Sequence, residues 1–511
     1  MSYKISSRVN GGHCYFTDWL RSVACILVLT VHGMVVVQRI FNLNDTDRDM
    51  SDNYLLVLLH HGMPVFFYAS GRAAFYSTKK SGEGGILNFL YKKTLRLIVP
   101  SVVGYFTVVA AAAYFGSEWR PCAPARPYTS LFDFYSRFLA EFKCSGLEWL
   151  WTLPMIFIIS VLNRPFTLYL RNVRDKHSLF MPGMGKKESG YEAMKSFVMI
   201  NSDMFMSISF LMTLMFLLHI LLSFSVTGIL IPVVLSYFTI PILTNMVSKV
   251  TLHQRNDSLI TSFLAYLPLY ISSAYIGLRL DDSVNSTFSA DFDPRNVLVY
   301  GLRLAGDDRA LRLCISLLFY NMYYLAGFLD LLFLVDEEAE RNIYLNNFAP
   351  FKILILISLN ALSFPGNKSL VSYIWAYPYY TGGITTCIFV IGTWVWLELF
   401  RVAGTQLFNS VKISESLQRH FSNSGIVIYI THSVWLEMVT RYFLLYVISP
   451  ESSPYSLYDG KSIRVLGFVF PGFGMLSSWL ILNASGLALS ILAYISIVNF
   501  KVPRLFFGLS R

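Results

Sequence analysis

Twelve stretches of this chain stay apolar for about as long as a helix needs to cross a lipid bilayer: 19–40, 54–77, 95–116, 148–162, 204–224, 226–247, 258–278, 311–335, 349–364, 371–400, 425–449 and 472–499. A spanning helix takes roughly 20 apolar residues to cover a hydrocarbon core ~30 Å thick. Inside that core every backbone polar group must be bonded within the protein, which leaves helices or a closed barrel. No segment shows the strict alternation of a barrel strand. The runs at 148–162 and 349–364 are short, and a short run can enter the membrane and return. The expectation is an all-α, polytopic transmembrane helix bundle of 10–12 spans, forming a single membrane domain over 1–511.

Composition agrees. Of the 511 residues 54% are hydrophobic and only 14% charged, against roughly 25% charged in soluble domains. The net charge of +10 is spread over short loops and not gathered in one patch, so it reads as a topology signal and no nucleic-acid partner is expected. One set of alternate loops holds Lys79, Lys80, Lys92, Lys93, Arg96, Arg164, Arg171, Lys186, Lys249, Arg401 and Lys501; the other holds Asp45, Asp47, Asp281, Asp291 and Asp307. By the positive-inside rule both termini are cytosolic, in a plasma membrane or endomembrane, and 163–203 is a basic cytosolic loop. The acidic stretch 336–341 runs against this assignment. Lys4 and Arg8 precede the first apolar run, but Gln38 and Arg39 follow it where a cleavage site needs small residues, so a retained first helix is expected. Cys122 and Cys144 share a predicted outer loop, where a disulfide can form; Cys25, Cys314 and Cys387 lie in apolar runs as small buried hydrophobes.

The first span, "DWLRSVACILVLTVHG", carries ionisable residues where they are costly. Arg21 and His32 are eleven residues apart, close to three helical turns, so they share a face about 16 Å apart along the axis. Asp18 stands three residues before Arg21 and can pair with it. Such a stripe must face the bundle interior or a cavity. On that helix alone, interface marking plus one interhelical hydrogen bond explains the residues as well as a functional role does. The second span adds His60 and His61, at a depth similar to His32 by rise per residue. Clustered imidazoles suit proton transfer or acyl chemistry. Metal fits least, because no carboxylate or cysteine accompanies them at ligand spacing.

Five motifs in order, "DWLR" with Arg-x10-His, "MPVFFYASG", "YKKTLRLIVP", "LEWLWTLPMIF" and "GIVIYITHSVWL", resemble the acyltransferase 3 family of integral membrane proteins. The resemblance spans most of the chain. It implies about ten core helices and transfer of an acyl group, of acetyl or succinyl type, from cytosolic acyl-CoA to a hydroxyl on a carbohydrate or lipid acceptor on the far side. Acyl-CoA would be a co-substrate, with no tightly bound cofactor and no metal; membrane lipid completes the partners. His32 would serve as general base or transient acyl carrier, with Arg21 orienting the donor and Asp18 beside it. His60, His61, Trp149, Trp151 and His432 would line the substrate path.

Lys92, Lys93 and Arg96 would meet the donor phosphates, with Arg72 as a further phosphate contact; the same cluster equally fits a simple positive-inside flank. The chain departs from the family in having Lys93-x-x-Arg96 where paired arginines are usual, Arg72 where an apolar residue is usual, and "LEWLWTLP" in place of a strict Trp-Phe-Leu. By rise arithmetic from residue 425, His432 lies well below His32, on the donor side. Glu437 and Arg441 are expected to pair, and Asp330 has no evident local partner. A proton-coupled transporter and a non-catalytic structural subunit are the alternatives, though no two-half internal symmetry of the transporter kind is visible.

Overall fold

A computed structural model describes residues 15–40, 63–77, 85–116, 130–140, 148–179, 309–333, 394, 397, 415–444, 458–459, 462–465, 468–471 and 473–509. The helices are α1 (Tyr15–Ile40), α2 (63–77), α3 (85–115), α4 (Leu131–Ala140), α5 (Thr152–Leu162, opened by a 3-10 turn at Glu148–Trp151), α6 (Arg164–Leu179), α7 (Arg309–Phe333) and α8 (Glu415–Val439). They are followed by α9 (Phe473–Val498) and α10 (Lys501–Phe506). A small antiparallel meander, β1 (Tyr458–Asp459), β2 (Ser462–Val465) and β3 (Phe468–Pro471), precedes α9, with Ser462 opposite Pro471 and Val465 opposite Phe468. The described parts of these runs are helical as expected; the runs at 204–224, 226–247, 258–278 and 349–364, and all of 371–400 but two residues, lie outside the described residues, and the meander is an addition to the all-α reading.

Among the described residues, three helical stretches are long and apolar enough to cross a membrane: Trp19–Val37, Ile86–Phe115 and Leu476–Val498. Trp149–Leu162 with Arg164–Arg171 makes a fourth if a pair bent by 52° counts as one span. The protein is thus a membrane protein with transmembrane helices. The bend falls at Asn163, where the Asn163 Nδ2 amide donates to Ile159 O at 2.8 Å and to Asn321 Oδ1 of α7 at 2.5 Å. Pro165, two residues on, lacks an amide donor and so cannot continue the hydrogen-bond ladder of α5. Residues 163–171, expected within the basic loop 163–203, are accordingly the buried start of a helix against α7, with Arg164 and Arg171 both under 9% exposed.

α8 is too polar to pass as a span by hydropathy, yet its middle is enclosed by other helices. Val427, Ile430, His432 and Leu436 are all 0% exposed, with α1, α9 and the second half of α3 packed around it. Its serines, threonines and histidine are tolerated because neighbouring helices, and not lipid, cover them. α9 is the converse case: Leu482 faces inward at 0% exposure while Leu480 and Leu492 are more than half exposed, as a lipid-facing side requires.

α3 begins at residue 85, about ten residues earlier than hydropathy suggests, so Lys92 and Lys93 stand on a helix and not in a loop. Lysine permits this because its aliphatic stem packs along apolar surface while the ammonium reaches a polar end. Two π-helical turns, Thr94–Ile98 and Tyr105–Val109, interrupt α3.

α2 and α7 cross backbone to backbone. A Cβ on Gly71 would strike the Tyr324 carbonyl, and a Cβ on Gly327 would strike the Tyr68 carbonyl. Small residues at such a crossing let two membrane helices approach closely. Beside it the Arg72 guanidinium pairs with the Asp330 carboxylate, which also accepts from Tyr68 Oη at 2.7 Å, all in the bundle interior.

Candidate functional site

α1 and α8 run parallel in register. Ser22 Oγ donates to Phe421 O at 3.1 Å, Cys25 packs against Gly425, and His32 meets His432. Each histidine stands seventeen residues after the first residue of its helix, so equal rise brings them to one depth. His32 Nδ1 and His432 Nε2 are 2.6 Å apart. The ring planes differ by only 15° and the centroids are 4.8 Å apart, so the imidazoles meet edge to edge in nearly one plane, the geometry of an in-plane nitrogen lone pair accepting a proton.

The carbonyls around the pair assign its protons. His432 Nδ1 faces the carbonyl oxygens of Tyr429 at 2.8 Å and Ile428 at 3.1 Å. A carbonyl only accepts, so His432 Nδ1 carries the proton and its Nε2 holds a lone pair. His32 Nδ1–H then donates to His432 Nε2, which puts the basic lone pair of His32 on Nε2. His432 is fully buried and His32 only partly, so the second imidazole anchors the first and the first is the reachable one.

Trp149 closes one side of the pair. Its indole Nε1–H donates to Ile430 O at 3.1 Å, and its ring meets both imidazoles edge-on, with centroids 6.4 Å from His32 and 5.6 Å from His432. The Tyr429 hydroxyl donates to the Trp149 carbonyl and is bonded to Thr152 Oγ1. One turn of α8 therefore holds Trp149 by both its indole N–H and its carbonyl, which fixes the indole beside the histidines.

A group of cations gathers from three helices: Arg21 from α1, Lys93 and Arg96 from α3, and Arg164 from α6. Lys93 feels the charges of Arg21, Arg96 and Arg164. Its ammonium reaches Ser160 Oγ at 3.5 Å, across the packing of α3 against α5. Arg164 stacks its guanidinium 4.1 Å over the Phe89 ring, and Lys93 Nζ is 5.8 Å from the same ring centroid. Residues far apart in the chain thus bring four cations to one region of the bundle.

The structure brings together His32, His432 and Trp149 at one level, and Arg21, Lys93 and Arg96 at another. His432 is not below His32 as rise arithmetic suggests, because α8 starts at Glu415, ten residues before the apolar run from which the depth was counted. Arg72 is not placed for a phosphate: its charge is committed to Asp330, which in turn supplies the partner that Asp330 lacked in the sequence. Trp151 packs on Tyr320 and Phe67 in the core, away from the histidine pair. Arg441 lies over the Tyr114 ring and donates to the Tyr114 carbonyl at 3.3 Å, and the buried Glu437 carboxylate abuts Gly116. Lys92 is exposed. His60, His61, Cys122, Cys144 and the side chain of Asp18 lie outside the described residues.

Arg164 is the residue the sequence reading missed, since it counted only as a loop charge. The signal for it was an Arg-Pro pair directly after an apolar run too short to leave the membrane. No group of three or more potential metal ligands gathers among the described residues. Comparison with family models, with curated proteins and with solved structures gives no match to this chain.

Proposed function

We propose that this protein is a membrane-embedded O-acyltransferase of the acyltransferase 3 type, a bundle of about ten core helices with both termini cytosolic. It would move an acetyl- or succinyl-type group from cytosolic acyl-CoA to an acceptor hydroxyl on a carbohydrate or lipid. The observation that carries the reading is the His32–His432 pair, with its protons ordered by the carbonyls of α8. A neutral imidazole whose second nitrogen is held by a buried partner is the arrangement that makes histidine a general base.

In this reading His32 Nε2 takes the proton from the acceptor hydroxyl as that oxygen attacks the thioester carbonyl. The C–O bond forms, the C–S bond breaks, and the proton passes to the departing CoA thiolate. While His32 is protonated, its Nδ1–H bond to His432 strengthens, and His432 stabilises the imidazolium as the third member of a triad does. Arg21, Lys93 and Arg96 supply positive charge for the donor phosphates, and Trp149 walls off water.

The experiment is acyl transfer by the purified full-length protein in nanodiscs, supplied with radiolabelled acyl-CoA and a mixed acceptor pool. Replacing His32 by Ala is expected to lower turnover roughly 100- to 10,000-fold at equal folded yield. Unchanged turnover in His32→Ala sinks the assignment; solute uptake without acyl product replaces it with a transporter.

A further inference from the structure

The bend between α5 and α6 holds a charge that the histidine site does not use. Arg164 opens α6 at that bend, is 7% exposed, and has no hydrogen-bond partner at Nη1. Its guanidinium covers one ring, Phe89, from which the Lys93 ammonium is also within 6 Å. Among the described residues no carboxylate pairs with either cation. A phenyl ring offsets part of one positive charge. Two cations held in a bundle interior repel each other and have each lost water, a state that an anion between them relieves. The positive end of the α6 macrodipole adds to the same field. Lys93 is only half-buried, so the pair can be reached from the α3 side.

We propose that Arg164 and Lys93 form a phosphate clamp beside Phe89, which, resting on the acyl-CoA reading, holds the pyrophosphate of the donor. Arg164 would make a two-pronged contact through its guanidinium, and Lys93 would act as a point charge. The clamp places donor recognition partly on the broken fourth span, and not only on the basic start of α3.

The test uses full-length protein in neutral phosphatidylcholine nanodiscs, titrated with inorganic pyrophosphate, CoA and phosphate-free pantetheine. Wild type is expected to bind pyrophosphate and CoA, and Arg164→Gln to bind both about tenfold or more weakly. Arg164→Lys should fall between, because it keeps the charge and loses the fork. Pantetheine binding should be the same in all three. Gel-filtration profile and melting temperature establish that the variants are folded, and Arg164→Lys serves as the fold control if the Gln variant is not.

Equal pyrophosphate affinity in wild type and Arg164→Gln, or none in wild type, overturns the clamp. Competition between pyrophosphate and CoA ties it to the donor. Pyrophosphate bound without such competition keeps the clamp and removes the acyl-CoA reading. Exclusion of pyrophosphate by phosphatidylglycerol in the disc, with CoA indifferent, makes the occupant a lipid headgroup and overturns the donor assignment.

Discussion

Two buried charged groups in this bundle contrast sharply. Between α2 and α7, Arg72 and Asp330 neutralise one another, and Tyr68 satisfies the same carboxylate. Between α3 and the α5–α6 bend, Lys93 and Arg164 face one phenyl ring and an arginine nitrogen stands without a partner. The first group is complete within the protein and sits beside a glycine crossing that only close packing allows. It belongs to the architecture. Among the described residues the second has no carboxylate of its own, and that difference is the observation behind the proposed clamp.

The contrast can be broken most directly at Asp330. Replacing it by Ala leaves the Arg72 guanidinium buried and unpaired, and the expected cost is about 3–5 kcal/mol, read as loss of monodisperse folded protein and a lower melting temperature. Arg164→Gln, which removes an unbalanced charge, should leave the melting temperature unchanged or raised. If both variants unfold alike, the division into a structural pair and a binding pair fails.

A second measurement sharpens the histidine site against both. On the proposed reading His432 is a positioning residue, since it accepts from His32 Nδ1 while its own Nδ1 is held by the Tyr429 and Ile428 carbonyls. His432→Ala is expected to lower kcat by roughly 10- to 100-fold with KM nearly unchanged, by analogy with the loss of an orienting partner to a functional histidine. His432→Gln should recover part of that loss, since its amide oxygen can accept from His32 Nδ1. A change in KM alone would make His432 part of the substrate path. The smallest effect is expected at Tyr429→Phe, which deletes the hydroxyl that ties α8 to the Trp149 carbonyl and Thr152. It should cost about 1 kcal/mol of stability, measured by thermal melting, with turnover reduced less than tenfold.

Helical class and membrane residence were legible from long apolar runs, because lipid leaves the backbone so few alternatives. The shared face of Arg21 and His32 was legible too, since both sit on one helix and its period is local. The depth of His432 was not. It depended on where α8 begins, and the polar segment Glu415–Ser424 carries no hydropathy signal for a helix that its neighbours will enclose. The three-stranded meander was likewise invisible beside the strong helical pattern around it.

By itself the sequence determined that this chain lives in a membrane as helices, and that the first of them bears a polar stripe ending in a histidine. The tertiary structure decided what each polar residue means. Arg72 found its carboxylate 258 positions away and became part of the frame. His32 found a second imidazole 400 positions away and acquired a defined tautomer. Arg164 was left against Phe89 with a nitrogen unmatched. Periodicity fixes which face of a helix a side chain occupies, but only packing fixes what lies opposite, and in a low-dielectric interior the opposite group sets whether a charge is closed or awaits a ligand.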